Sequence, residues 1–180
     1  METVQNGILS GETTLARFMT FNVIDIETAK NILIDLQKSI DGESTVIGFG
    51  VSLVTALGAT INDLHNMPVN TAAGLDIPST PAAMWLWLRG TDRGELFHRS
   101  RTLEKQLLAA FELTDVVDSF QYDENRDLSG YVDGTENPDG DDAVNAAIVS
   151  GQGEGLDGSS FVAVQQWLHD FDMLDSMTED

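Results

Sequence analysis

The sequence has little or nothing of several features that mark particular classes of protein. It contains no cysteine, which excludes disulfides, thiolate zinc sites and cysteine-ligated iron–sulfur clusters. Only nine lysines and arginines stand against thirty acidic residues, for a formal net charge of -21. That charge argues against nucleic acids and anionic membranes as partners, because both attract basic surfaces. We interpret it as a solvated acidic surface, of a kind suited to a salty cytoplasm.

Long apolar segments are also missing. No run approaches the roughly 20 apolar residues that a membrane span needs. The N-terminal METVQNGILSGETT has neither the basic start nor the apolar centre of a signal peptide, so we expect a cytoplasmic location. Apolar residues make up 42% of the chain and charged residues 22%, which is ordinary for a globular protein with a core.

Basic residues are distributed unevenly along the chain. Five of the nine lie between Arg89 and Lys105, and none follows Arg126, whereas thirteen acidic residues do. A folded domain rarely has so many acidic residues at one end without basic residues to neutralise their charge. We therefore expect a basic segment downstream of this acidic end.

The first 122 residues show alternating strand and helix patterns. Apolar residues alternate from Leu15 to Val23 as in a strand, and Asp25 has the chemistry of a helix N-cap. Three- and four-residue apolar steps then predict a helix to Ile40, ended by the turn at Asp41-Gly42. The next predicted elements are a strand at 46–51, a loop at 58–81, a strand at 84–88, a helix from Asp92 through Phe111 and a strand at 116–122.

This order predicts an α+β fold, a ferredoxin-like antiparallel sheet with helices on one face and its other face free to pack elsewhere. Residues 123–158 are rich in Gly, Asp and Asn and are predicted to form a long functional loop. Residues 161–167, FVAVQQW, are predicted to be a strand with no partner in the chain, and residues 171–180 the first turns of a helix. The chain is thus expected to end within a second unit.

The most distinctive segment is DLSGYVDGTENP at 127–138, in which Asp133 stands between Gly130 and Gly134. Glycine allows positive φ angles and the close approach of a flat ligand, over which Asp133 could project. The alternative is a local turn in which Asp133 only accepts hydrogen bonds from nearby backbone N–H groups. Spacing alone favours the local turn.

Gly130-Tyr131-Val132-Asp133-Gly134 matches the GxxDG motif of dye-decolourising-type haem peroxidases, and GYVDGTENP closely resembles their bacterial branch. NGIL near the start, LRGTDRGELFH at 88–98 and FVAVQQWLHD at 161–170 agree in the same order. The chain therefore resembles the front portion of such a peroxidase. Members of this family have two ferredoxin-like domains, with haem b held in the second.

The resemblance implies a division into a ferredoxin-like domain at 1–122, the motif loop at 123–158 and the start of a truncated second domain at 159–180. It implies that Asp133 is the distal acid–base residue that moves a proton during cleavage of hydrogen peroxide. Gly130, Gly134, Thr135, Glu136 and Asn137 would line the haem. The electron donors would be dyes, phenols or similar small molecules, and a homo-oligomer is expected.

The resemblance also places the axial histidine and a distal arginine downstream of Asp180, so no metal ligand is expected in this chain. His98 is predicted to pack or face solvent, and His65 to lie on the surface. His169 is the least improbable local ligand, but a lone histidine is more often structural.

Other candidate sites are weaker. The acidic run NPDGDD at 137–142 fits a calcium loop poorly, because Thr135 and Ala146 would occupy positions that need acidic residues. Trp85 and Trp87 are predicted to pack in the core rather than to transfer a radical. Two alternatives to the peroxidase stay open: a non-catalytic ferredoxin-like fragment that acts as an interaction or structural module, and a protein that handles haem iron.

Overall fold

The computed structural model describes residues 5–72 and 74–177. A short 3₁₀ turn at Asn6–Ile8 precedes the first strand. The other elements, in chain order, are β1 Leu15–Val23, α1 Ile26–Leu36, β2 Thr45–Phe49, α2 Val51–Ala56, β3 Asn70–Ala72, β4 Leu75–Ile77, β5 Met84–Gly90, α3 Arg93–Leu107, β6 Phe111–Phe120, α4 Gly140–Ala147 and α5 Phe171–Asp175. None of these helices is both long and apolar enough to cross a bilayer.

Four strands form one antiparallel sheet in the order β2-β5-β1-β6. Together with α1 and α3 they follow the predicted order of strand, helix, strand, strand, helix, strand. This is the ferredoxin-like α+β arrangement, in which the first and third sheet strands lie at the centre. The predicted fold of this part of the chain is confirmed.

The two long helices begin where the sequence predicts. The Asp25 carboxylate accepts hydrogen bonds from the backbone N–H groups of Glu27 and Thr28, each 3.1 Å long, and so caps α1. The Asp92 carboxylate accepts a 2.7 Å bond from Glu95 N at the start of α3. Each cap satisfies N–H groups that have no partner within the helix.

The core lies between the helices and one face of the sheet. Alternation along β1 turns Met19 and Phe21 towards α1 and α3, and along β5 it turns Met84, Leu86 and Leu88 the same way. These side chains are almost completely buried. Burial of each large apolar side chain contributes about 1.5–3 kcal/mol, so this layer carries much of the stability of the domain.

The opposite face of the sheet holds an aromatic cluster that corrects one prediction. Trp85 and Trp87 alternate with the core residues of β5 and therefore point away from the helices, where both are half-buried. Phe18 of β1 stacks on them, with ring centroids 5.7 Å from Trp85 and 6.1 Å from Trp87. The prediction that these tryptophans belong to the core was wrong, because that face of β5 is already filled by its aliphatic residues.

Several element boundaries differ from the predictions. Residues 51–56 form helix α2 rather than the end of a strand, and α3 ends at Leu107, so that Phe111 opens β6 instead. The predicted loop at 58–81 contains the short hairpin of β3 and β4, and the predicted loop at 123–158 contains α4.

The predicted strand at 161–167 is absent: residues 159–170 have no regular secondary structure. A strand exists only through hydrogen bonds to a neighbour, and no strand in the described part of the chain pairs with this segment. Its side chains from Phe161 to Leu168 are exposed. Helix α5 does form where a last helix was predicted.

Candidate functional site

Residues 122–137 form a turn-rich loop with a defined backbone. Tyr122 pairs with Arg126, and Arg126 pairs with Val132, each as an isolated antiparallel bridge. Asp127 N donates a 2.9 Å hydrogen bond to Tyr131 O, and the Arg126 guanidinium donates one of 2.7 Å to Gly130 O. These contacts fold the chain back on itself just before Asp133.

Asp133 is held at the exit of this loop. Its backbone N–H donates to Asn125 O at 3.1 Å, and its Oδ1 accepts a 2.8 Å bond from Gly134 N. The side chain is exposed, and its Oδ2 makes no hydrogen bond within the described residues. The local hydrogen bond expected of a simple turn is therefore present, and the other carboxylate oxygen has no hydrogen-bond partner within the described residues.

Gly134 is required by the geometry of the turn. Its φ angle is +74°, in the left-handed region that glycine adopts without strain. A Cβ at this position would lie 2.8 Å from Asn137 Nδ2. Gly130 also has a positive φ, +91°, so both glycines of the motif serve the backbone.

The remaining predicted site residues, Thr135, Glu136 and Asn137, continue the same loop and are all exposed. Asn137 N donates a 3.0 Å hydrogen bond to Gly134 O and so closes the next turn. The loop therefore presents the predicted residues on one continuous surface. Whether they contact a cofactor stays a prediction.

The surface around Asp133 is open and partly apolar. Tyr131 is 76% exposed and Val132 50%. Two cavities of about 250 Å³ lie elsewhere, one against Gln5 and Leu9 and one beside Arg89, and neither includes a residue of the motif. The motif loop thus presents an exposed surface.

Known proteins share these features. A family model described as "Dyp-type peroxidase, C-terminal" matches residues 124–179. A dye-decolorizing peroxidase of Rhodococcus erythropolis is 30% identical over 94% of this chain and 54% of its own length. The crystal structure of DyPB from Rhodococcus jostii RHA1 superposes with a TM-score of 0.83 at 26% identity, covering 94% of this chain and 59% of that one. The chain resembles the dye-decolourising-type peroxidases in both sequence and fold.

Other relatives agree with this likeness. A variant of the Rhodococcus jostii protein in complex with heme superposes with a TM-score of 0.83 at 25% identity, over 94% of this chain and 60% of that one. A dye-decolorizing peroxidase of Mycolicibacterium paratuberculosis is 37% identical over 60% of this chain and 29% of its own length. The chain spans about half the length, or less, of the curated relatives it matches.

The three histidines of the chain do not converge. His65 is exposed, with Nδ1 2.7 Å from Asp63 O, and His98 is exposed on α3 against the edge of Phe97. His169 is half-buried and stacks on Phe171 with ring centroids 5.6 Å apart. Within the ranges that the structure describes, no three His, Asp or Glu side chains group as a metal site would require.

The structure does bring His169 near the motif loop, which the sequence did not predict. Hydrogen bonds from Ser129 hold the pKa of the Asp127 carboxyl below its usual value, and the nearby His169 adds a smaller contribution in the same direction. Residues 127 and 169 are far apart in the chain, and neither lies in a periodic element that would indicate their meeting. Only the folding of the segment 138–168 places them together.

Proposed function

We propose that this chain is the Asp133-bearing part of a haem-dependent peroxidase, which reduces hydrogen peroxide and oxidises a small electron donor such as a dye or phenol. The observation that carries the proposal is Asp133 itself. It lies in a GxxDG motif on an ordered, exposed loop, with one carboxylate oxygen free of hydrogen bonds within the described residues. The family resemblance supplies the reaction class.

Haem b is the cofactor of this proposal, and the described residues fit one of its faces. Gly130 and Gly134 have no side chain that would keep a flat macrocycle away from the backbone. The exposed Tyr131 and Val132 offer apolar contact to it. Haem supplies the redox chemistry when bound, and the protein orients and tunes it. The histidine that would hold the haem iron is proposed to lie downstream of Asp180, as the family resemblance implies.

The chemical role proposed for Asp133 is proton transfer. Its carboxylate would take up one proton from hydrogen peroxide and return it to the oxygen that leaves as water, while the bound haem would supply the two electrons and hold the other oxygen atom. The exposed Oδ2 is the atom in position to do this, because Oδ1 is bound to Gly134 N. Gly130, Thr135, Glu136 and Asn137 are proposed to contact the cofactor from the same loop.

The proposed domain division is 1–122, 123–158 and 159–180. The family model for the C-terminal part begins at residue 124, directly after β6, and this supports a boundary there. A cytoplasmic location completes the proposal.

A non-catalytic interaction module is the second candidate. The exposure of the motif favours it, because Tyr131, Val132 and Asp133 are all exposed. In this case the sheet and helices would serve as a structural unit only.

Haemin titration of the chain, purified together with the segment that would carry the iron ligand, separates the two functions. The peroxidase proposal predicts a sharp Soret band that saturates at a fixed stoichiometry, followed by peroxide-dependent bleaching of an anthraquinone dye faster than free haemin achieves. The control is the same titration of chain unfolded in denaturant. A featureless haemin spectrum and bleaching no faster than that of free haemin would instead support the interaction module.

A further inference from the structure

Most of the nine basic side chains are already neutralised or buried. Arg89 is 3% exposed and donates hydrogen bonds to backbone carbonyls. Arg93, Arg101 and Lys105 form no ion pair within the described residues, so their charges are available to another molecule. The other five are paired with acids of their own molecule, namely Arg17 with Asp118, Lys30 with Glu27, Lys38 with Asp35, Arg99 with Glu95, and Arg126 with Asp123.

The three unpaired cations share one face of α3. Arg93, Phe97, Arg101 and Lys105 follow each other at four-residue steps, and we call these four residues the basic stripe. Such steps place side chains next to each other on a helix, and all four are exposed. Glu104 is adjacent in sequence but forms no ion pair with Arg101 or Lys105. The basic stripe is therefore a local positive surface on a molecule of net charge -21.

The Phe97 ring contacts two guanidinium groups and is still 44% exposed. The guanidinium carbons of Arg17 and Arg101 lie 5.9 Å and 5.7 Å from the ring centroid. Arg17 is held in place, because it donates two hydrogen bonds to the Asp118 carboxylate, of 2.7 Å and 2.8 Å, and one of 3.0 Å to Ser100 Oγ. Arg101 donates no hydrogen bond within the described residues. The ring limits the motion of its guanidinium while the N–H groups remain available to a carboxylate.

Exposed apolar side chains of β6 extend this surface. Arg17 joins Asp118 of β6 to Phe97 of α3, so Asp118 lies on the face of the sheet that bears the helices. Val116 and Phe120 lie two residues on either side of Asp118 and point to the same face. Val116 is 41% exposed and Phe120 58%, and β6 is an edge strand of the sheet. We call the basic stripe together with Val116 and Phe120 the docking surface.

We propose that the docking surface binds an acidic segment of a different protein, in which carboxylates stand at helical spacing around an apolar side chain. The carboxylates pair with Arg101 and Lys105, and the apolar side chain lies against Phe97. Arginines and aromatic side chains contribute most of the binding energy in many protein interfaces, and the docking surface offers both. Pairing also satisfies cations that have no acid of their own molecule within reach.

Charge and shape favour this partner over other anionic ones. At physiological ionic strength the Debye length is about 8 Å, so a short segment that stays over the docking surface interacts mainly with its cations. A long polyanion such as a nucleic acid would extend beyond them along a molecule of net charge -21 and would be repelled there. A small anion such as phosphate would leave the exposed apolar side chains uncovered.

Fluorescence anisotropy with a labelled peptide tests this proposal at physiological ionic strength. The probe is a helical peptide of about 15 residues with glutamates at three- and four-residue steps around one tryptophan. A second probe has glutamine in place of every glutamate. The acidic probe is expected to bind saturably, and the glutamine probe about tenfold more weakly or less tightly still. Arg101→Glu/Lys105→Glu should weaken binding of the acidic probe about tenfold or more, because attractive pairs become repulsive, and Phe97→Ala about fivefold.

The matched control is Lys30→Glu/Lys38→Glu on α1, which changes the net charge equally but replaces cations already paired with Glu27 and Asp35. It should leave the affinity for the acidic probe near the wild-type value, and circular dichroism should show every variant folded. The proposal is overturned by an absence of saturable binding, by an equal loss in the α1 control, or by equal affinity for the glutamine probe or for a single-stranded oligonucleotide of the same charge. None of these results bears on haem binding, so the peroxidase proposal is tested separately.

Discussion

Phe21→Ala is expected to lower the free energy of unfolding by about 3–5 kcal/mol, the usual cost of removing a fully buried aromatic ring. The Phe21 side chain is 1% exposed and belongs to the core between the sheet and the two long helices. The surrounding side chains project from a hydrogen-bonded sheet and cannot collapse fully into the space left behind. Urea titration followed by circular dichroism measures the change.

Phe120→Ala is the matched control for that substitution. Phe120 ends β6 and is 58% exposed, so its removal leaves no internal cavity. We expect a change within about 0.5 kcal/mol, as for most surface substitutions. Equal losses for the two variants would show that the core does not lie where the structure places it.

Asp133→Asn is expected to reduce peroxide-dependent dye oxidation by the haem-loaded chain about 10²–10⁴-fold, the range that general acid–base catalysis contributes. Asparagine matches the shape of aspartate and can still accept the bond from Gly134 N, but its amide cannot take up and return a proton. Haem affinity, measured from the Soret band, should stay the same. Steady-state kcat/KM for peroxide is the quantity to compare.

Asp139→Asn controls for the loss of one negative charge from the same region. Asp139 is exposed at the N-cap of α4, where asparagine is equally acceptable, and its side chain makes no capping hydrogen bond. Its activity should equal that of the wild type. Undiminished activity in Asp133→Asn would remove Asp133 from the reaction.

The main sheet could be predicted from sequence because its strands alternate clearly between core and surface residues. Helix α2 could not. Val51, Val54 and Thr55 are β-branched and favour a strand locally, yet Leu53 and Val54 are buried in a helix. Gly50 allows this turn into the helix, since a Cβ there would lie 1.9 Å from Ala82 O. Tertiary packing outweighed local propensity at this position.

The candidate site was predicted in part. The motif located Asp133 and its two glycines, and the structure confirms that Gly130 and Gly134 both adopt positive φ angles. The exposure of the motif loop could not be predicted from the motif, because burial of a loop depends on which distant segments of the chain pack against it. The strand expected at 161–167 failed for the same reason, since alternation in one segment does not reveal whether a partner strand exists.

Hydrogen–deuterium exchange with and without haemin tests most directly whether the Asp133 loop is the surface that meets the cofactor. If it is, amides of residues 122–137 should exchange more slowly once the Soret band has formed, while those of α3 should be unaffected. A fully formed Soret band with unchanged exchange across 122–137 would contradict the assignment and place the haem elsewhere.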